Sequence, residues 1–166
     1  MINFKRLWRH LTTGQASGRR AFPKEVLAEI QKTIAEGEQL HRAEVRIIIE
    51  PALPLDDALD DMHPRARARM LFSDYRVWDT EENCGVLIYL NLADHQVEIV
   101  ADRGVGRLVQ PAELQAVCDT MTAQLKLGAY RDSTIAALTQ LNELLARQLP
   151  ATEARVNQLS DKPIIL

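Results

Sequence analysis

The sequence predicts an α/β fold in which a small mixed β-sheet is sandwiched by helices, and three observations carry that prediction. The run from Asn83 through Gly85-Val-Leu-Ile-Tyr to Leu92 is too uniformly apolar for a one-sided surface strand, so it reads as a central strand covered on both faces. The β-branched run Val97 to Ala101 follows after a four-residue turn, Ala93 to Gln96, and ends abruptly in Asp102-Arg103-Gly104. Between an earlier strand at 44–50 and this hairpin lies a connection long enough for a crossover helix. The first two strands are therefore expected to be parallel with a right-handed crossover, and the third to be added antiparallel.

In chain order, residues 3–12 place Phe4, Leu7, Trp8 and Leu11 at helical spacing with Lys5, Arg6 and Arg9 between them, an amphipathic helix that Gly14 to Gly18 breaks. Such stripes usually pack a helix onto its own domain, although Trp8 and Leu11 also offer a surface for a membrane or a partner. A helix over 23–41 starts at Pro23, with Val26, Leu27, Ile30 and Ile34 on one stripe. Strand 44–50 has the β-branched core Ile47-Ile48-Ile49 and is closed by Pro51 and Pro54. The Ala, Arg, Met and Leu content of 64–75 suits the crossover helix. Two helices close the fold: 111–127, with Leu114, Val117, Cys118, Met121 and Leu125, and 130–149, with Ile135, Leu138, Leu141 and Leu145. Gly128 separates them. The tail over 150–166 is polar until Pro163-Ile-Ile-Leu166 and reads as irregular or docked.

With 166 residues, 46% of them hydrophobic and 26% charged, the chain has the size and composition of one globular domain. A formal charge of -3 supplies no long-range attraction to nucleic acid, and none is expected as a partner. Neither a signal peptide nor a membrane-length apolar run occurs, which makes the cytoplasm the expected compartment. Cys84 and Cys118 sit in apolar periodic segments without a Cys-x-x-Cys partner, and buried reduced thiols are expected.

The topology gives the sheet two polar poles. At one, Asn83 opens the central strand and Asp102 ends its neighbour. Together with Asp79, Glu81, Glu82 and Arg103 they offer oxygen ligands for calcium or magnesium, or a carboxylate and guanidinium for a phosphate. The same residues also read as turn chemistry, with Asn83 and Asp102 bonding nearby backbone and Gly85 and Gly104 permitting positive φ. At the other pole, Glu50, Asp56, Asp57, Asp60 and Asp61 offer a second cation site or, more simply, solvated acids. Arg65, Arg67 and Arg69 read as a solvated helix face, and His63 as a cap before Pro64. No Gly-x-Ser-x-Gly elbow, phosphate loop or cysteine-phosphatase loop is present.

The order Phe22-Pro23, Val45-Arg-Ile-Ile-Ile-Glu50, Val77-Trp-Asp-Thr80, Asn83-x-Gly-Val-Leu-Ile88 and Val97-Glu-Ile-Val-Ala-Asp-Arg-Gly104, followed by two helices, resembles the TPM domain family. The resemblance covers about 22–149, leaving 1–21 as an N-terminal helix and linker and 150–166 as a tail. It implies an α/β sandwich. Some plant members are described as acid phosphatases and others as metal-binding or accessory domains. Many relatives are exported or membrane-anchored, whereas this chain is similar to the short, soluble bacterial-type branch. Two functions follow as expectations. One is an accessory module that binds a protein, membrane-associated in its setting, through the polar pole or through Trp8 and Leu11. The other is a phosphatase acting on phosphate monoesters, with a metal held by Asp79, Glu81, Glu82 and Asp102, catalysis by Asp102 and Arg103, and binding through Asn83, Gly85 and Gly104.

Overall fold

A computed structural model of the chain describes residues 4–152 and 156–166. Strands β1 (Glu44–Glu50), β2 (Gly85–Asn91), β3 (Gln96–Ala101) and β4 (Ile164–Ile165) form one mixed sheet in the order β3-β2-β1-β4. β1 and β2 run parallel with Ile47 opposite Ile88, and β3 is antiparallel to β2 with Ile99 opposite Ile88. Every residue of β2 is buried, as the uninterrupted apolar run requires. The fourth strand is new relative to the sequence reading: Ile164 and Ile165 of the tail dock parallel to Ile48 and Ile49.

Alternation along the strands divides the core in two. Val45, Ile47, Ile49, Val86, Ile88 and Leu90 point to one face, where they meet helices α3 (Lys24–Glu38), α7 (Pro111–Leu125) and α8 (Tyr130–Gln148). Ile48, Leu87, Tyr89 and Val100 point to the other, covered by Ala68 and Leu71 of α5 (Pro64–Asp74) and by Leu159, Ile164 and Leu166 of the tail. Each fully buried Ile or Leu contributes about 1.5–3 kcal/mol by leaving water, so the two faces together hold the sheet. At the outer edge of the sheet, the Arg65 guanidinium donates to the Ile99 carbonyl of β3 and closes it to a further strand.

Some local expectations are corrected, while the His63 cap and the buried free cysteines are as expected. The glycine-containing stretch after α1 (Phe4–Thr12) is itself helical as α2 (Gln15–Ala21); Gly18 packs so closely on Pro51 that a Cβ there would lie 2.8 Å from its ring. A short helix α4 (Leu55–Leu59) precedes α5, whose N-cap is His63, accepting from the Arg65 amide. Asp102-Arg103-Gly104 is not a bare turn. Asp102 caps the short helix α6 (Arg103–Gly106). Neither Gly85 nor Gly104 has positive φ; Asn83 does, at 53°. Gly85 is glycine because a side chain would collide with the Val77 carbonyl, and Gly104 because one would meet the Asn83 and Glu82 carbonyls. Both cysteines are free and buried, and burial pushes the Cys118 thiol up to about 12.

Candidate functional sites

The corner between β2 and β3 assembles part of the predicted site. The Arg103 Nη2 donates to Asn83 Oδ1 at 3.0 Å, and the Gly104 amide donates to the Asn83 carbonyl at 2.8 Å. Asp102 Oδ1 accepts from the Arg103 amide at 2.7 Å, while its Oδ2 is buried with no hydrogen-bond partner among the described residues. The remaining acids are drawn elsewhere. Asp79 pairs with Arg76 at 2.6 Å, and Glu82 with Arg42. Glu81 is exposed, with its amide donating to Gln158 Oε1. Among the described residues no group of three or more His, Cys, Asp or Glu side chains is placed to hold a metal ion. One orphaned carboxylate oxygen beside a guanidinium does not make the oxygen cage that calcium or magnesium takes, so this corner does not fit a resident divalent cation.

The acids of the other pole divide between ion pairs, at Glu50, Asp57 and Asp61, and solvent, at Asp56 and Asp60. Glu50 is buried at the end of β1 and receives a bidentate Arg67 at 2.6–3.2 Å, together with the Tyr89 hydroxyl at 2.6 Å. Asn91 donates to the Tyr89 oxygen. Burial and the Glu50 charge both push the Tyr89 phenol upward, so it stays a neutral donor. Asp56, Asp60 and Asp61 are exposed. Arg67, expected on a solvated face, is largely buried because Glu50 needs it.

The feature that the sequence did not reveal is Asp94, in the β2–β3 turn. Its side chain is only 6% exposed and collects three residues of α1: Arg6 at 2.8 Å, Arg9 at 3.2 Å and His10 at 3.2 Å. Arg6 also donates to Asp61 Oδ1 and to the Met62 carbonyl. His10 Nδ1 accepts from the Leu53 amide, which puts the ring proton on Nε2, facing Asp94. Burial opposes ionisation of Asp94, but the His10 ring at 3.2 Å and the hydrogen-bonded Arg6 guanidinium outweigh it and hold the carboxyl well below the usual range. The only local hint was Arg6 and His10 at i and i+4 in a helix without a single acid.

This anchoring reverses the expected seating of α1. Arg6 and His10 face inward, while Phe4, Trp8 and Leu11 are 76%, 68% and 60% exposed. At 100° per residue the exposed stripe lies roughly 150° around the helix from the anchoring pair. Phe4, Trp8 and Leu11 therefore do not pack onto their own domain, while Leu7, the fourth residue of the stripe, is half-buried. Leu55 and Leu59 of α4, the helix against which α1 lies, are also substantially exposed.

No helix among the described residues is long and apolar enough to cross a membrane. No curated protein matches the chain. The NMR structure of the BA42 protein from the psychrophilic bacterium Bizionia argentinensis matches with a TM-score of 0.74 at 20% identity, covering 85% of this chain and 92% of that one, which shows a common fold. A family model described as the TPM domain matches residues 19–144, well over half of the sequence. The chain belongs to the TPM domain family.

Proposed function

We propose that this TPM domain is an accessory, protein-binding module that offers α1 to an apolar groove on a membrane-associated partner, on the cytoplasmic side. The observation that carries the reading is the inverted seating of α1, held by Arg6 and His10 at Asp94 with Phe4, Trp8 and Leu11 turned outward. Those three stand at i, i+4 and i+7, the spacing with which an amphipathic helix fills a groove. Trp and Phe are also the side chains that bring the most buried area to an interface. The exposed charges of α1 are Lys5 and Arg9, and the adjoining segment of α4 adds exposed Asp56, Asp60 and Asp61, so the stripe is bordered by charges of both signs.

A photo-crosslinking residue at position 11, introduced in the native cell, is the test. One discrete adduct is expected, and the purified partner should bind the wild type saturably and a Trp8→Ala/Leu11→Ala double variant at least tenfold more weakly. Equal binding by both proteins would overturn the reading. The phosphatase reading keeps one specific support, the unpaired Asp102 oxygen beside Arg103. Phosphate-ester turnover well above background that is lost in Asp102→Ala would replace the binding module with an enzyme.

A further inference from the structure

Where the first two helices meet the β2–β3 turn they leave a cleft of about 430 Å³, inside the range of about 300–1,000 Å³ that small-molecule sites occupy. Its polar lining residues are Arg9 and Thr13 at the end of α1, Ser17 and Arg20 of α2, His95 of the turn and Tyr130 at the start of α8. All are cations, an imidazole or hydroxyls. No carboxylate lines the cleft among the described residues, whereas a second cleft that Arg9 also borders is lined by Asp61 and Asp94. These groups are largely uncommitted. Arg20 makes one hydrogen bond, from Nε to the Ala16 carbonyl at 3.4 Å, and no ion pair among the described residues; the hydroxyls of Thr13, Ser17 and Tyr130 and the His95 ring bond to none of them. Arg9 donates to Asp94 Oδ1 at 3.2 Å, but Arg6 already engages that carboxylate with three hydrogen bonds. The lining therefore carries more positive charge than its neighbours neutralise.

We propose that this cleft binds a phosphate monoester, its phosphate held by Arg9 and Arg20 and its organic part laid over Leu92, Ala93 and Tyr130. A terminal phosphate is a dianion above about pH 6, and two planar guanidiniums match both its charge and its paired oxygens. A carboxylate calls for only one. Leu92 and Ala93 are buried and apolar, so the floor offers no rival acceptor to the arginines beside it. The local field agrees with the charge count: burial, and then the charges of Arg9 and Lys126, push the His95 imidazole down against the weaker effect of Asp94. The neutral ring keeps one N–H to donate, as do the hydroxyls of Thr13 and Ser17. The cleft lies at the turn end of the β2–β3 hairpin, whereas Asn83, Asp102 and Arg103 stand at the opposite end. It is thus separate from the corner that the phosphatase reading uses. Its ligand joins α1 and α2 to the turn and to α8, which gives α1 a second tie beside Asp94.

The inference is independent of both functional readings above, and calorimetric titration of the full chain with AMP, inorganic phosphate and adenosine tests it. AMP should bind saturably at one site, phosphate more weakly, and adenosine not at all. Arg20→Gln should weaken AMP at least tenfold, because a charge-assisted contact is lost. Arg19→Gln makes the same charge change outside the cleft, and it and Asp102→Ala should bind as the wild type does. Arg20 is exposed and pairs with no acid among the described residues, so its replacement should leave the fold intact. AMP should also slow amide exchange in both α1 and α2 of the wild type and in neither helix of Arg20→Gln. Phosphatidylcholine vesicles containing phosphatidic acid separate the sources of the phosphate: co-sedimentation that AMP displaces and Arg20→Gln abolishes assigns it to a lipid headgroup, and its absence to a soluble ester. Lack of saturable binding by every phosphate probe, or an equal loss in Arg19→Gln and Arg20→Gln, overturns the site.

Discussion

Leu138, Leu141 and Leu145 of α8 turn the apolar side of their helix into the domain, whereas Phe4, Trp8 and Leu11 of α1 turn theirs out. α8 is held by the hydrophobic effect along its whole length, and its one buried amide, Asn142, is satisfied by the Thr33 carbonyl and by His41. α1 is held by polar contacts of two side chains, Arg6 and His10, with Asp94 at their centre and Asp61, the Met62 carbonyl and the Leu53 amide around it. The comparison teaches that a helical stripe identifies a face without saying which face is buried. The inward side is the one whose partners the fold supplies, here Asp94, Asp61, the Met62 carbonyl and the Leu53 amide for Arg6 and His10.

If that contrast is right, the two helices should fail in different ways. The largest effect belongs to α8. Leu141→Ala should lower global stability by about 2–5 kcal/mol in a single cooperative denaturant transition, because it opens a cavity in the main core. Asp94→Ala should cost about 2–4 kcal/mol, because the carboxylate shared by Arg6 and His10 is lost and only the Asp61 and Met62 acceptors of Arg6 remain. Here the loss should be local, with faster exchange of the α1 amides and little change in α8. A milder version comes from acid. The Asp94 carboxyl is held below its ordinary range, so its anchoring is complete above about pH 4 and should weaken as pH falls toward its folded value. Trp8 anisotropy in a Trp78→Phe background would follow this, and in Asp94→Asn the acid-dependent change should be absent. The smallest effect on stability is Trp8→Ala, within about 0.5 kcal/mol, since the ring already stands in water. Its effect should appear only in partner binding. A Trp8→Ala protein destabilised as much as Leu141→Ala would break the contrast.

The fold was legible where the signal is local. Strand 44–50, the central apolar strand, its hairpin partner and the crossover helix each announce themselves within a dozen residues, and their pairing follows from the handedness of the crossover. Two-residue β4 is too short to carry a periodic signal, and α2 forms although Gly14 and Gly18 argue against it. At the candidate site, topology alone brought Asn83 and Arg103 together as expected. It could not reveal that Arg76 and Arg42 claim Asp79 and Glu82, or that Arg67 is pulled inward by Glu50. With 20 basic and 23 acidic side chains on one small domain, the choice among ion pairs is settled by three-dimensional placement and not by spacing along the chain.

The distance along the chain between Arg6 and Asp94, 88 residues, also sets a timetable. During synthesis at about 5–20 residues per second, α1 leaves the ribosome roughly 4–18 s before its anchor exists. For that interval both sides of the helix are unguarded, the charged side because Asp94 has not been made and the apolar side because Phe4, Trp8 and Leu11 stay exposed among the described residues even in the finished fold. The nascent chain thus passes through a stage in which its most adhesive segment is also its least constrained.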